Sequence, residues 1–152
     1  MNFIEKLFSK NKIDCPRCLG KGEVDWNDIK RLNKELKWGP GKCAYCNGSG
    51  KIKSNFESKV SVDTTYLTSD LNKKERNRVI NKDEKALLRG ILFEKNADNF
   101  IKQVKYLNKK GNLTKEEITE FYLIPENEMS NEEKDELMDY IKRIIEFDKN
   151  QT

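Results

Sequence analysis

The sequence predicts a mainly α-helical protein with a small β-hairpin module on its N-terminal side. Two observations predict this class. All four cysteines lie within residues 15–46, in two turns rich in glycine, whereas apolar residues after position 70 recur at helical spacing. We therefore expect residues 1–62 to form the cysteine-bearing module and residues 63–152 to form a helical domain.

A short amphipathic helix is predicted at the start of the first module, because Phe3, Ile4, Leu7 and Phe8 fall on one helical face. We expect this face to pack on the rest of the fold. Anchoring at a membrane surface is the less favoured alternative, since such helices usually run longer and are more basic. The sequence shows no apolar run of membrane-spanning length and no signal-peptide pattern, which predicts a cytoplasmic protein without membrane partners.

A helix is also predicted over residues 25–37, inserted between the two cysteine turns. Asp25 can cap its first turn, and the Gly-Pro-Gly sequence that follows ends it. Trp26 and Trp38 stand at its two ends and are expected to pack against the cysteine turns. Stacking on a peptide or a nucleic-acid base is the alternative role for these two rings.

Residues 51–62 place apolar side chains on even positions and polar ones on odd positions, which predicts a strand. The spacing of Ile52, Phe56 and Val60 is equally that of a helix. The serine and valine content favours the extended conformation. This strand is expected to link the module to the helical domain.

The helical domain shows clear start signals. Asn72, Thr114 and Ser130 each precede a glutamate by three residues, as in a capping box, so helices are predicted to begin there. Further apolar stripes predict helices over residues 82–94 and 100–107, the second of which ends before Gly111. A helix around residues 118–122 is expected to stop before Pro125. The last predicted helix has an apolar side made of five residues: Leu137, Tyr140, Ile141, Ile144 and Ile145.

The cysteines occur in an eight-residue pattern, Cys-x-x-Cys-x-Gly-x-Gly, which appears at residues 15–22 (knuckle 1) and 43–50 (knuckle 2). Each pair can share one metal ion, and two pairs supply the four sulfur ligands that tetrahedral Zn²⁺ prefers. The predicted ligands of one structural zinc are Cys15, Cys18, Cys43 and Cys46. Four glycines are predicted to support them by allowing tight turns and close approach of amides to sulfur: Gly20, Gly22, Gly48 and Gly50. Disulfide or redox chemistry is the alternative, which a reducing compartment disfavours.

This pattern resembles the repeat of the cysteine-rich zinc domain of DnaJ (Hsp40) chaperones at every fixed position of both copies. The resemblance covers residues 15–50 only. It implies a reduced version, because the family normally carries four repeats and two zincs. The expected fold is thus mainly α with a small zinc-knuckle β-hairpin module, that is, a DnaJ-like zinc module followed by a small helical bundle.

The sequence also predicts that the protein is not an enzyme and has no small-molecule substrate. It contains no histidine, which removes the commonest general base and the His-Pro-Asp motif through which J-domains act on Hsp70. A zinc with four sulfur ligands has no open position for water. The acidic pairs at 116–117 and 132–133 suit helix N-termini rather than a catalytic site.

The resemblance implies a protein-interaction module: an adaptor, a chaperone-like accessory, or an inhibitor of the immunity type that binds one partner protein. The predicted contact surface lies between the knuckles and the inserted helix. Its candidate residues are Arg17, Trp26, Arg31, Trp38 and Tyr45.

Nucleic-acid binding is the alternative function. Residues 1–110 hold 25 Lys and Arg against 14 Asp and Glu, whereas residues 111–152 hold 5 against 12. A basic surface around the zinc could bind phosphates. The same asymmetry also fits ordinary solvated faces, or two faces of one protein that attract each other.

Overall fold

The computed structural model describes residues 11–123 and 129–151. About 53% of the described residues are helical, and the strands form small two-stranded sheets, which confirms a mainly α fold with a small β module. The chain divides into two compact units, residues 1–94 and 95–152. The predicted boundary after residue 62 falls inside the first unit. The predicted N-terminal helix lies outside the described residues.

Four short strands frame the two knuckles. The strands are β1 (Lys12–Asp14), β2 (Glu23–Val24), β3 (Gly41–Lys42) and β4 (Lys51–Lys53). β1 pairs antiparallel with β4, with Ile13 opposite Ile52, and β2 pairs antiparallel with β3, with Val24 opposite Gly41. The strand that enters each knuckle thus pairs with the strand that leaves the other. The two halves are arranged with approximate two-fold symmetry.

The inserted helix, α1 (Trp26–Arg31), is shorter than the predicted 25–37. Its start is as expected, because Asp25 and Asp28 form a capping box. Its end comes early because Asn33 adopts a left-handed conformation with φ of 58°. Asparagine tolerates this conformation better than most residues, and it breaks the helical path. The remainder of the predicted helix is a series of turns.

The predicted strand over residues 51–62 is wrong beyond Lys53. Strand β4 ends there, and residues 56–59 form a short helix, α2 (Phe56–Lys59). The four-residue spacing of Phe56 and Val60 therefore corresponds to one helical turn, which is the alternative to the strand. Phe56 packs edge-on against Tyr45, with ring centroids 4.7 Å apart, and this tertiary contact outweighs the local preference for a strand.

An apolar core surrounds the knuckles. Besides the four cysteines it contains Val24, Ala44, Tyr45, Ile52, Val60 and Leu67. Leu71 and Ile80 pack against it from outside the predicted module. This explains why the first unit extends well past residue 62.

Helix α3 (Lys73–Ile80) begins at Asn72, whose side chain accepts from the amide of Glu75, as predicted. Only this half of the predicted capping box forms, because the Glu75 carboxylate binds Arg89 and Tyr66 instead. The two helices predicted over 82–94 and 100–107 are one helix, α4 (Glu84–Lys109). Residues 95–99 contain neither glycine nor proline, so nothing interrupts it.

The second unit contains the end of α4 and two further helices, α5 (Lys115–Tyr122) and α6 (Asn131–Asn150). Thr114 forms the predicted capping box, and Ser130 accepts from the amide of Glu133. Buried side chains of this unit include Ile101, Val104, Ile118, Ile141 and Ile144. Pro125, the predicted stop, lies outside the described residues. Within residues 11–123 and 129–151, no helix is long and apolar enough to cross a membrane.

Candidate metal centre

The four cysteine sulfurs converge on one point. The Sγ atoms of Cys15 and Cys43 lie 3.8 Å apart, as do those of Cys18 and Cys46, and all four lie within 4.8 Å of one another. A tetrahedral ion with metal–sulfur bonds of about 2.3 Å requires sulfurs about 3.8 Å apart. A disulfide would require about 2.05 Å. The four cysteines are therefore arranged to hold one metal ion.

This site is closed to solvent. Cys15, Cys18 and Cys43 are fully buried, and Cys46 is nearly so. Proximity of the Cys15 sulfur raises the pKa of the Cys43 thiol, and burial raises the pKa of Cys18. Four thiolates so placed would repel one another, and a bound cation removes this penalty. The site can thus hold an ion but offers no position for a reacting water.

Backbone amides support the sulfurs in the same way in both knuckles. The amide of Gly22 donates to Cys18 Sγ at 3.2 Å, and the amide of Gly50 donates to Cys46 Sγ at 3.2 Å. Both glycines have φ near 80°, a conformation in which an L-side chain is strained. The amides reach the sulfurs because the chain can turn sharply at these positions.

Each knuckle also binds the other through the backbone. The amide of Cys15 donates to the Gly50 carbonyl at 2.8 Å, and the amide of Cys43 donates to the Gly22 carbonyl at 3.0 Å. The amides of Gly20 and Gly48 close their own turns onto the carbonyls of Cys15 and Cys43. The structure thus brings all eight predicted ligand and support residues into one site.

Arg17 lies between the two cysteines of knuckle 1 and is buried. Its guanidinium donates to the carbonyls of Val62, Thr64 and Leu67 at 2.9, 3.2 and 2.7 Å. It also lies 4.1 Å from the centroid of the Trp38 ring. Desolvation lowers the pKa of Arg17, and the nearby sulfurs of Cys43 and Cys15 oppose this effect. Arg17 therefore fastens residues 62–67 to the metal site.

Arg76 of α3 is a second cation at the site. It donates to the carbonyls of Ala44 and Tyr45, both at 3.2 Å. Desolvation lowers its pKa, and the sulfurs of Cys46 and Cys43 oppose this effect. Four thiolates and a divalent ion carry a net charge of −2, which Arg17 and Arg76 can offset. Arg76 could not be predicted from the sequence, because it lies 30 residues after the last cysteine and outside any motif.

Only some of the five predicted partner contacts lie at the surface. Arg17, Trp38 and Tyr45 are buried in the module. Trp38 Nε1 donates to the Thr65 carbonyl at 3.1 Å, and the Tyr45 hydroxyl donates to the Val60 carbonyl at 2.6 Å. These three side chains are part of the core and are not available at the surface. Of the predicted partner contacts, only Trp26 and Arg31 therefore remain candidates.

Trp26 and Arg31 are the predicted contacts that stay accessible. Trp26 is 48% exposed. Arg31 is partly exposed and donates to the Arg17 carbonyl at 2.8 Å, so it also ties α1 to knuckle 1. An exposed residue that sequence analysis did not select is Leu19, at 59%.

No protein-family model, curated protein or solved structure matches the chain. These comparisons do not confirm that the two knuckles are of the DnaJ type.

Proposed function

We propose that the chain is a non-enzymatic zinc protein whose metal module binds a partner protein. In this proposal one structural Zn²⁺ is held by Cys15, Cys18, Cys43 and Cys46. The protein acts as an adaptor, a chaperone-like accessory or an immunity-type inhibitor. The observation that carries the proposal is the closed, buried tetrahedron of four sulfurs, which suits a structural ion and leaves no coordination position for a substrate.

Zinc is favoured by the donor set. Tetrahedral sites made of four thiolates bind zinc or iron, and zinc is the usual ion where the role is structural. The absence of histidine from the sequence removes the commonest general base from the rest of the chain. The site therefore supports folding rather than catalysis.

Knuckle 1 carries an exposed apolar side chain, Leu19, that does not contribute to the core. Leu19 has φ of 55°, a left-handed conformation, and its side chain points into solvent. The equivalent residue of knuckle 2 is Asn47, which has the same φ of 55° and suits it much better. An exposed leucine in a strained position favours a binding role, and the exposed Trp26 follows shortly after it in the chain.

The nucleic-acid alternative is less well supported by the side-chain contacts. Of nine basic residues around the metal, six have partners within the protein: Arg17, Lys21, Arg31, Lys34, Lys37 and Lys51. Lys30, Lys42 and Lys53 complete the nine. Ion pairs with Asp14, Asp25 and Asp28 reduce the positive field that phosphate binding requires.

Affinity purification from the native cell tests the partner role, with matched variants of the full chain. Leu19→Asn introduces the residue that knuckle 2 already carries, so the variant should fold and keep its metal. Trp26→Ala removes the exposed indole. We expect wild type to recover a stoichiometric partner protein that both variants lose.

Phe121→Ser is the control, because it removes an exposed aromatic side chain from the second unit and should retain the partner. Failure of wild type to recover any partner under mild conditions would contradict the proposal. So would a partner whose recovery neither Leu19→Asn nor Trp26→Ala reduces. Tight binding of nucleic acid that weakens steeply with salt would favour the alternative.

A further inference from the structure

The first three turns of α4 carry an apolar stripe that faces solvent. It consists of Leu87, Leu88, Ile91 and Leu92, whose side chains are 45–63% exposed. The spacing of these residues in the sequence predicts the helix. The structure shows that they do not enter the core of their own unit.

The opposite face of the same turns makes the core contacts. Ala86 is fully buried. A Cβ atom on Gly90 would lie 3.4 Å from the Tyr66 ring, and the ring of Phe93 lies 5.4 Å from that of Tyr66. Since these residues attach the helix to its unit, the stripe is free to contact something else.

The stripe can pair with a second copy of itself in a register that matches opposite charges. Glu84, Leu88, Ile91 and Lys95 follow one another at intervals of four, three and four residues, so they form a line along the helix. Two antiparallel copies related by a two-fold axis between residues 89 and 90 would place Leu88 against Ile91 of the second copy. The same axis places Glu84 against Lys95 of the second copy, twice by symmetry.

We propose that this face of α4 is an interface between two copies of the chain, paired as antiparallel helices. Charges of opposite sign at the two ends of the stripe select this register, and a helix paired in the parallel sense would bring like charges together. Because α4 begins at Glu84, the overlap is limited to residues 84–95. So short a pair buries less than a stable interface of roughly 1,200 Å², and the dimer should therefore be weak and concentration-dependent. This inference does not depend on the metal or on the partner-binding proposal.

Analytical ultracentrifugation of the full-length, metal-loaded protein over a concentration series tests the pairing. We expect reversible dimerisation of wild type. Leu88→Ser with Ile91→Ser should weaken it more than tenfold. Tyr106→Ser is the control, because Tyr106 is an exposed residue of the same helix that lies beyond the overlap. It should leave the dimer unchanged.

Charge reversal tests the register at low salt. Glu84→Lys or Lys95→Glu alone should weaken dimerisation by about tenfold, because each creates two repulsive pairs, and the double variant should restore it. Glu136→Lys, a reversal on α6, controls for net charge. A wild type that is monomeric throughout would overturn the proposal, and so would a dimer insensitive to the stripe or a double variant no better than the singles. Circular dichroism verifies that each variant keeps its helices.

Discussion

Gly22 of knuckle 1 lies so close to Gly48 of knuckle 2 that a Cβ atom on Gly22 would approach the Gly48 carbonyl oxygen to 2.6 Å. The reciprocal contact joins Gly50 to the Gly20 carbonyl. The second glycine of each copy of the motif, Gly22 or Gly50, therefore allows the two knuckles to interlock as well as to turn. This interlocking brings the four sulfurs together.

Substitution of Gly22 by alanine should strongly destabilise the metal module. The new Cβ would clash with the Gly48 backbone, and φ of 82° is unfavourable for alanine. We expect a loss of roughly 2–5 kcal/mol in the free energy of unfolding, from the clash and the left-handed strain together, measured by urea denaturation, with weaker metal retention. Gly39→Ala is the matched control, since nothing lies within 4 Å of its Cβ position. Equal stability of the two variants would contradict this account.

Replacement of Arg17 by alanine should also destabilise the first unit. The three carbonyls of Val62, Thr64 and Leu67 would lose their donor, and the ring of Trp38 would lose its stacked cation. We expect a loss of about 3 kcal/mol in urea denaturation. Arg78→Ala, which removes a mostly exposed arginine, should change stability by less than about 0.5 kcal/mol. A small effect at Arg17 would show that residues 62–67 are held by other contacts.

The carboxylate of Glu75 should make stability depend on acid pH. Arg89, together with the hydroxyl of Tyr66, lowers the pKa of Glu75 to about 2. Its stabilising effect is complete above the unfolded pKa of about 4.3 and is lost as pH falls toward 2. The difference in stability between wild type and Glu75→Gln should therefore shrink over that window.

Thermal unfolding of the two proteins at a series of pH values measures this difference. Because loss of the metal would itself unfold the first unit, metal content is measured at each pH, and the comparison is restricted to the values at which both proteins keep the metal. A difference that stays constant into the window below about pH 4.3 would indicate that Glu75 acts through packing and not through its charge.

Loss of one ligand should unfold the first unit selectively. Cys18→Ser leaves three sulfurs and a weaker oxygen donor, and in zinc-finger peptides metal binding contributes roughly 10–16 kcal/mol of folding free energy. We expect amide NMR signals of the knuckles to lose dispersion, while those of α5 and α6 persist, because those helices have buried residues of their own. Unchanged metal content and an unchanged spectrum would refute a structural role for the metal.

The metal ligands were predictable because the chemistry of the site is local in sequence. Each knuckle is a contiguous pattern, and its glycines mark positions of positive φ, which other residues avoid. The helix starts at Asn72, Thr114 and Ser130 were predictable for the same reason, since a cap depends on residues three positions apart.

The features that sequence analysis missed depend on contacts between distant residues. Arg17 appeared to be a surface residue because nothing in the pattern indicates that its guanidinium reaches residues 62–67. The helix at Phe56 depends on the ring of Tyr45, eleven positions earlier. The outward direction of the α4 stripe depends on which face of that helix meets Tyr66. Periodicity identifies an apolar face but does not specify what covers it.

X-ray absorption spectroscopy at the zinc edge of the purified full-length protein tests the central claim most directly. We predict one zinc per chain with four sulfur neighbours at about 2.3 Å and no nitrogen or oxygen neighbour. A spectrum with an oxygen or nitrogen ligand, or a protein that binds no zinc, would contradict the assignment of Cys15, Cys18, Cys43 and Cys46 as a closed structural site.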